Sequence, residues 1–117
     1  MKATVVLSQQ ERLDILTDTL ENGAIRYWAG LYRPFTCKRD KEHNVTELTF
    51  VAPNNTNGRL TKYTITPDTI QLGTDTLLKD SFEVADWIKL QILTGEYDII
   101  TDDVMIQAAI YGEIVYG

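Results

Sequence analysis

The sequence predicts an α+β fold: a long N-terminal helix, a three-stranded antiparallel meander, and then three helices packed on the first helix and the sheet. Three observations predict it. Apolar residues recur at helical spacing near the N-terminus, they alternate with polar residues in the middle third, and helical spacing then returns. Because the 117 residues contain no repeat or linker, we predict a single domain over residues 1–117.

The first predicted helix covers residues 9–30. Ser8 and Glu11 have the spacing of a capping box, in which each side chain accepts a bond from the other residue's backbone N–H. Asn22 and Gly23 interrupt good helix formers at a cost of up to ~1 kcal/mol relative to alanine, so we expect a kink or a close backbone approach there. The apolar face of this helix consists of Leu13, Leu16, Leu20, Ala24, Tyr27 and Leu31.

The middle third predicts three strands joined by two hairpin loops. The first strand, residues 33–38, contains a proline that restricts it to a sheet edge or a strand start. The third, residues 59–65, follows a turn that ends in Asn57-Gly58, a pair suited to positive φ. The second strand, residues 45–52, alternates between apolar and polar residues, and its apolar face consists of Leu48, Phe50 and Ala52.

Two further helices are predicted directly after the meander. The first begins with Thr66 as its N-cap and Pro67 at its first helical position. The second is expected to be capped by residues 80–83 and to end at Gly95, because glycine commonly ends a helix in the left-handed conformation. Its predicted core face consists of Phe82, Ala85, Ile88 and Ile92.

The last predicted helix starts at Thr101 as its N-cap, with two aspartates in the first turn that complement the helix dipole. Residues 104–110 are apolar nearly all round, so this helix is expected to be the central buried element or part of a homodimer interface. We expect the run after it to be packed as well. Glu113 then needs a partner or a proton, because its neighbours are Tyr111, Ile114, Val115 and Tyr116.

Composition excludes several classes of function. The net charge of -6 argues against direct nucleic-acid binding, which depends on Lys and Arg. No apolar run approaches the ~20 residues that span a bilayer, and the apolar run near the N-terminus is too short for a secretory signal. The lone Cys37 excludes an intramolecular disulfide and fits a reducing compartment. We therefore predict a cytoplasmic protein without a membrane partner.

Isolated candidates for chemistry have plain structural alternatives. His43, the only histidine, lies in a charged loop without a second ligand nearby, which favours a solvated residue over a metal ligand. Cys37 is a possible nucleophile, since Lys38 and Arg39 would lower its pKa, but an inward structural thiol fits equally well. A hard cation would need the three acids near one helix start, Asp98, Asp102 and Asp103. Capping explains the last two without a metal, and no phosphate-loop motif is present, so we predict no metal and no cofactor.

The best candidate binding site lies in the second half of the first helix. On one helix, Glu21 and Trp28 share a face, and Arg26 lies nearly opposite Trp28, where it could pair with Glu113. An aromatic residue and an arginine at a helix end can clamp a nucleotide or an extended peptide. The alternative is a core Tyr and Trp with a solvated or structurally paired Arg. The predicted ligand-binding residues are Glu21, Arg26, Tyr27, Trp28 and Glu113.

Two segments resemble a widespread family of small bacteriophage proteins. Residues 19–28, TLENGAIRYW, resemble the family segment T-A-L-E-G-G-I-x-Y-W, and residues 103–117 are similar to the family ending D-V-x-x-Q-x-x-L-F-G-E-I-V-Y-G. Residues 63–68 also resemble the strand-to-helix junction of the family. The chain departs at Asn22 and Ala24, where the family has glycine followed directly by isoleucine. The resemblance implies an origin rather than an activity, and no catalytic residue is transferred.

The resemblance implies an accessory product of a phage or prophage that acts in the host cytoplasm, and, by analogy, inhibits a host defence system. We predict a non-enzymatic binding protein that captures a host protein or a small, nucleotide-like ligand. A third possibility is a structural module of a phage assembly. The alternative from another class is a small enzyme or nucleotide-metabolism factor that uses the carboxylates of Glu21, Asp102, Asp103 and Glu113.

Overall fold

The computed structural model describes residues 4–117 and confirms the α+β fold. The prediction that there is no secretory signal depends on the apolar run near the N-terminus, and that run lies partly outside these residues. Within residues 4–117, no helix has both the length and the apolarity needed to cross a bilayer. The elements in chain order are α1 (Gln9–Glu21), α2 (Arg26–Ala29), β1 (Thr36–Arg39), β2 (Val45–Pro53), β3 (Leu60–Ile65), α3 (Pro67–Leu77), α4 (Asp86–Thr94) and α5 (Ile99–Tyr111).

The first predicted helix is in fact two helices. The predicted capping box starts α1, since the Ser8 hydroxyl accepts from the Glu11 N–H and the Glu11 carboxylate accepts from the Ser8 N–H, both at 3.1 Å. Gly23, however, has a φ of +70°, a left-handed conformation that interrupts an α-helix. A single helix over 9–30 is therefore wrong. The chain turns after α1 and restarts as α2, which carries Arg26, Tyr27 and Trp28.

The three strands form the predicted antiparallel meander, with β2 in the centre. In its register, Leu48 of β2 lies opposite Cys37 of β1 and Ile65 of β3. The alternation of β2 directs one set of side chains into the core, and this buried face includes the predicted Leu48, Phe50 and Ala52. Both α1 and α2 contact β2, so the sheet supports the first two helices.

Helix α5 is the central buried element of the fold. Residues 101–108 are all buried, which explains why this helix is apolar nearly all round within one chain. Helix α3 packs along it so closely that a Cβ at Gly73 would collide with the carbonyl oxygen of Met105. Helix α1 also contacts α5, which confirms the predicted packing of the first helix on the last. The apolarity of α5 is thus no longer an argument for a homodimer.

Helix α4 starts later than predicted and packs less fully. Its first residue is Asp86, so residues 80–83 do not cap it, and Ala85 at its N-cap position is exposed. Phe82 precedes the helix and is partly buried against the core. Of the nine residues of α4, two are buried, Ile88 and Ile92. The predicted end at Gly95 is confirmed by its left-handed conformation.

Helix α5 starts earlier than predicted. Its N-cap is Asp98, whose Oδ1 accepts from the N–H groups of Ile100 at 2.9 Å and Thr101 at 3.0 Å. These bonds lower the pKa of Asp98, that of Thr101 contributing most. The predicted N-cap at Thr101 is wrong, and the two aspartates that follow it lie within the buried helix rather than at an exposed end.

Candidate functional site

Asp103 on α5 is the polar centre that connects α5 to α2. Its Oδ2 accepts from the Tyr27 hydroxyl at 2.5 Å. Its Oδ1 accepts from Trp28 Nε1 and from Gln107 Nε2, both at 2.9 Å. Asp103 is only 8% exposed, and a buried carboxylate is costly unless donors replace the water that it has lost. Three side-chain donors do so here, and Asp103 therefore has a structural role.

Gln107 extends this network to the run of residues after α5. Its Oε1 accepts from the N–H groups of Val115 and Tyr116, both at 2.8 Å. Its Nε2 donates to the Tyr116 carbonyl at 3.0 Å as well as to Asp103. The Tyr116 ring stacks on Trp28, with the ring centroids 5.0 Å apart and the planes 7° from parallel. The run after α5 is thus packed against α2, as predicted.

Trp28 and Tyr27 are committed to this network. Trp28 is 1% exposed and packs edge-on against Phe50, with the ring centroids 5.5 Å apart. Tyr27 is half exposed, but its hydroxyl donates to Asp103, and burial followed by this bond raises the pKa of Tyr27. The alternative of a core Trp therefore fits the structure better than a Trp that stacks on a ligand.

No ion pair within residues 4–117 joins the other predicted binding residues to one another. Glu21 is exposed and forms an ion pair with Arg39 at 3.2 Å. Arg26 is exposed and lies against the turn at Gly23. Glu113 is also exposed, and accepts from Asn55 Nδ2 at 3.3 Å.

The expected burial of Glu113 is therefore wrong, and so is its pairing with Arg26, since no ion pair within residues 4–117 joins them. The physical reason is that Gly112 ends α5 with a φ of +69°, so the chain turns before Glu113. Asp103 and Gln107 on α5, rather than Glu113, make the buried polar contacts with α2 and with the run after α5.

The four carboxylates of the enzyme alternative do not converge. Glu21, Asp103 and Glu113 each have different partners, as described above. Asp102 lies on α5 and makes none of these contacts. Within the described part of the chain, no three His, Cys, Asp or Glu side chains are placed to hold a metal ion.

Asp102 is a candidate functional residue whose environment the sequence did not reveal. It is 4% exposed, and its Oδ1 has no hydrogen-bond partner in the described structure. Burial, followed by the charges of Asp18 and Asp98, raises its pKa to about 8. Asp102 is therefore protonated at neutral pH. The prediction that its charge complements the helix dipole of α5 is wrong. An aspartate beside an apolar run was the only signal.

The remaining candidates are surface residues. His43 is exposed in its loop, as predicted, and has a φ of +67°. Cys37 is exposed on the edge strand β1, so an inward structural thiol is wrong. Asp98 is used as the N-cap of α5. None of these residues contributes to a shared site.

An exposed apolar surface on α4 was also missed. This α4 surface consists of Trp87, Leu90 and Leu93, which are 47%, 60% and 49% exposed. They recur at three-residue steps and so form a stripe along the helix. Gln91 Nε2 donates to Asp98 at 3.1 Å, which brings the first turn of α5 beside α4. That turn exposes two more apolar side chains, Ile99 and Ile100.

A cleft of about 320 Å³ lies between the loop before α4 and the run after α5. We call it the Phe82–Ile114 cleft. It is lined by Ser81, Phe82, Glu83, Gly112, Glu113 and Ile114. Phe82 and Ile114 are partly buried, whereas Glu83 and Glu113 are exposed. The cleft therefore combines two partly buried apolar side chains with two exposed carboxylates.

Comparison with family models, with curated proteins and with solved structures finds no match for this chain. The similarity to small phage proteins therefore stays a prediction from the residues of two segments. Those segments meet in the structure, because Tyr27 and Trp28 of the first contact Asp103 of the second.

Proposed function

We propose that this protein acts by non-enzymatic binding of a protein partner, and that the α4 surface forms the contact. The observation that carries this proposal is the stripe of Trp87, Leu90 and Leu93, each about half exposed. Large exposed apolar patches on soluble proteins mark interaction sites, and tryptophan is among the residues enriched at the energetic centres of interfaces.

The site geometry favours binding over catalysis. The aromatic pair predicted to clamp a ligand is used to connect α2 to α5, and the four carboxylates of the enzyme alternative have separate surroundings. Catalysis by paired carboxylates needs two of them beside one substrate. The α4 surface has no such requirement, since burial of apolar area alone drives association.

The resemblance to phage proteins supports the infected host cell as the setting. The partner class that we propose is a component of a host defence system, which the protein would inhibit by occupying one of its surfaces. A structural protein of the phage is the competing partner. The two are distinguished by whether the partner is present before infection.

A pull-down with matched variants tests the proposal. The variant Trp87→Ser with Leu90→Ser removes most of the α4 surface. The control, Leu31→Ser with Tyr32→Ser, removes two side chains of comparable exposure from the loop after α2. The immobilised protein is the bait, lysates of host cells before and after infection supply the candidate partners, and bound proteins are identified by mass spectrometry. We expect the control to retain the partner and the α4 variant to lose it.

Three results would contradict the proposal. Equal capture by both variants would place the contact elsewhere. A change from dimer to monomer in the α4 variant, measured by light scattering, would identify a second copy of this chain as the occupant. Loss of capture together with a lower melting temperature of the α4 variant alone would assign a structural role to the two side chains.

A further inference from the structure

We propose that the Phe82–Ile114 cleft binds an arginine side chain of the partner that is held on the α4 surface, an inference that rests on the proposed function. The cleft and the α4 surface are adjacent along the chain. Glu83 precedes Trp87 by four residues, which span at most about 14 Å even when fully extended. A partner segment lying on α4 is therefore within reach of the cleft.

The two apolar side chains that line the cleft suit the stem of a long cationic side chain. Phe82 and Ile114 pack against the hydrophobic core on one side and line the cleft on the other. Methylene groups of arginine or lysine cover apolar surface while the charged end stays in a polar environment. Phe82 also brings an aromatic ring to the cleft, and a guanidinium is attracted to the face of such a ring.

The charged lining selects a cation. Glu83 comes from the loop before α4 and Glu113 from the run after α5, so each of the two segments contributes one carboxylate. Asn55 Nδ2 donates to Glu113 Oε2 at 3.3 Å and to the Tyr111 carbonyl at 3.0 Å. This pair of bonds orients Glu113 relative to the end of α5 and leaves Oε1 available.

Neither carboxylate is neutralised by the protein itself. No ion pair within residues 4–117 involves Glu83 or Glu113. The cation on α4, Lys89, donates to the Lys79 carbonyl at 3.3 Å and does not line the cleft. The net charge of -6 adds a favourable field for a basic partner.

The charge of the cleft argues against anionic ligands. A volume of about 320 Å³ lies at the lower end of small-molecule sites and is large enough for one side chain. A nucleotide would also bring its phosphates beside two carboxylates. Arginine is preferred over lysine because its planar guanidinium has five donors and can bond a carboxylate through two of them, whereas an ammonium is a compact point charge.

An NMR titration of the full chain tests this site directly. The probe is a blocked Gly-Arg-Gly peptide, and the matched probe carries citrulline, which has the shape of arginine without its charge. We expect the arginine peptide to shift the amide signals of residues 81–83 and 112–114, and the citrulline peptide to leave them unchanged. Equal shifts with both peptides, or shifts spread over the whole surface, would overturn the proposal.

Variants identify the carboxylates. Glu83→Gln with Glu113→Gln should weaken binding of the arginine peptide about 3- to 10-fold, the range expected for two exposed ion pairs. The control, Glu42→Gln with Glu96→Gln, changes the net charge equally at exposed positions outside the cleft and should bind as the parent does. All four substitutions should leave the melting temperature unchanged. Equal weakening by both double variants would reduce the effect to net charge and contradict a site.

The two proposals fail in different ways. If the α4 variant loses the partner while the arginine peptide does not bind the cleft, the inference fails and the binding function stands. If the arginine peptide binds the cleft while the α4 variant keeps the partner, the α4 surface is not the contact and the proposed function fails.

Discussion

Replacing Asp102 with asparagine should stabilise the protein at neutral pH. The side chain is 4% exposed, and burial raises its pKa from 3.8 to about 8. Between these values the native state holds a proton that the unfolded state has released. The native state therefore binds more protons, and this group lowers the free energy of unfolding as the pH rises. Its contribution is fully favourable below pH 4 and is lost as the pH approaches 8.

The magnitude follows from the same pKa values. Each pH unit between 3.8 and 7 costs about 1.4 kcal/mol, so the penalty at pH 7 is about 4 kcal/mol. Asparagine does not ionise and has a helix propensity close to that of aspartate. We expect Asp102→Asn to raise the free energy of unfolding by about 4 kcal/mol at pH 7, or the melting temperature by about 15 °C. Near pH 4 the two proteins should be equally stable.

Urea denaturation between pH 4 and pH 8.5 measures this effect. The quantity of interest is the difference between parent and variant at each pH, because the other carboxylates then cancel. Asp80→Asn serves as the control, since Asp80 is exposed in the loop after α3 and forms no ion pair in residues 4–117. A destabilised Asp102→Asn at pH 7, or a difference that does not change with pH, would refute the reasoning and indicate an ionised Asp102 with a partner.

Three further substitutions test the packing and the network. Gly73→Ala should lower the free energy of unfolding by about 3 kcal/mol in thermal melts, because the new Cβ clashes with the carbonyl of Met105. An unchanged melting temperature would show that α3 can move away from α5. Gln107→Ala leaves several buried groups unpaired and should lower the free energy of unfolding by about 3 kcal/mol. Tryptophan emission should shift to the red as Trp28 becomes solvated, and unchanged emission would contradict the link through Asp103. Asp98→Ala removes an N-cap and should lower the free energy of unfolding by about 1 kcal/mol at pH 7. This loss should disappear in acid, because the pKa of Asp98 is lowered in the folded state. An equal loss at pH 3 would contradict the capping role.

The secondary structure could be predicted because its signals are local. The capping box at Ser8, the alternation through β2 and the Thr66-Pro67 helix start each depend on residues within a few positions of one another. The long first helix failed at Gly23 because a helical apolar pattern continues across a left-handed residue without any change in spacing. Periodicity records which side chains face the core, and it does not record the backbone conformation between them.

The candidate site was only half predictable for a related reason. Tyr27 and Trp28 were identified as special from their types, but their partner Asp103 is more than seventy residues away. The sequence instead favours Glu113 as the buried carboxylate, with Arg26 as its partner, because Glu113 stands among apolar residues. Asp103 is buried because it lies within α5, whereas Glu113 follows the turn at Gly112 and is exposed.

Local sequence patterns were sufficient to predict the α+β class, the strand order of the meander, the core face of β2 and the burial of the last helix. These properties follow from short-range periodicity and caps. Tertiary packing, in contrast, gives Asp103 three donors and leaves the adjacent Asp102 without a partner at Oδ1. It also decided that α4 leaves Trp87 exposed. Both outcomes depend on which elements lie against a given side chain, and burial and hydrogen bonding between distant segments have no counterpart in local sequence spacing.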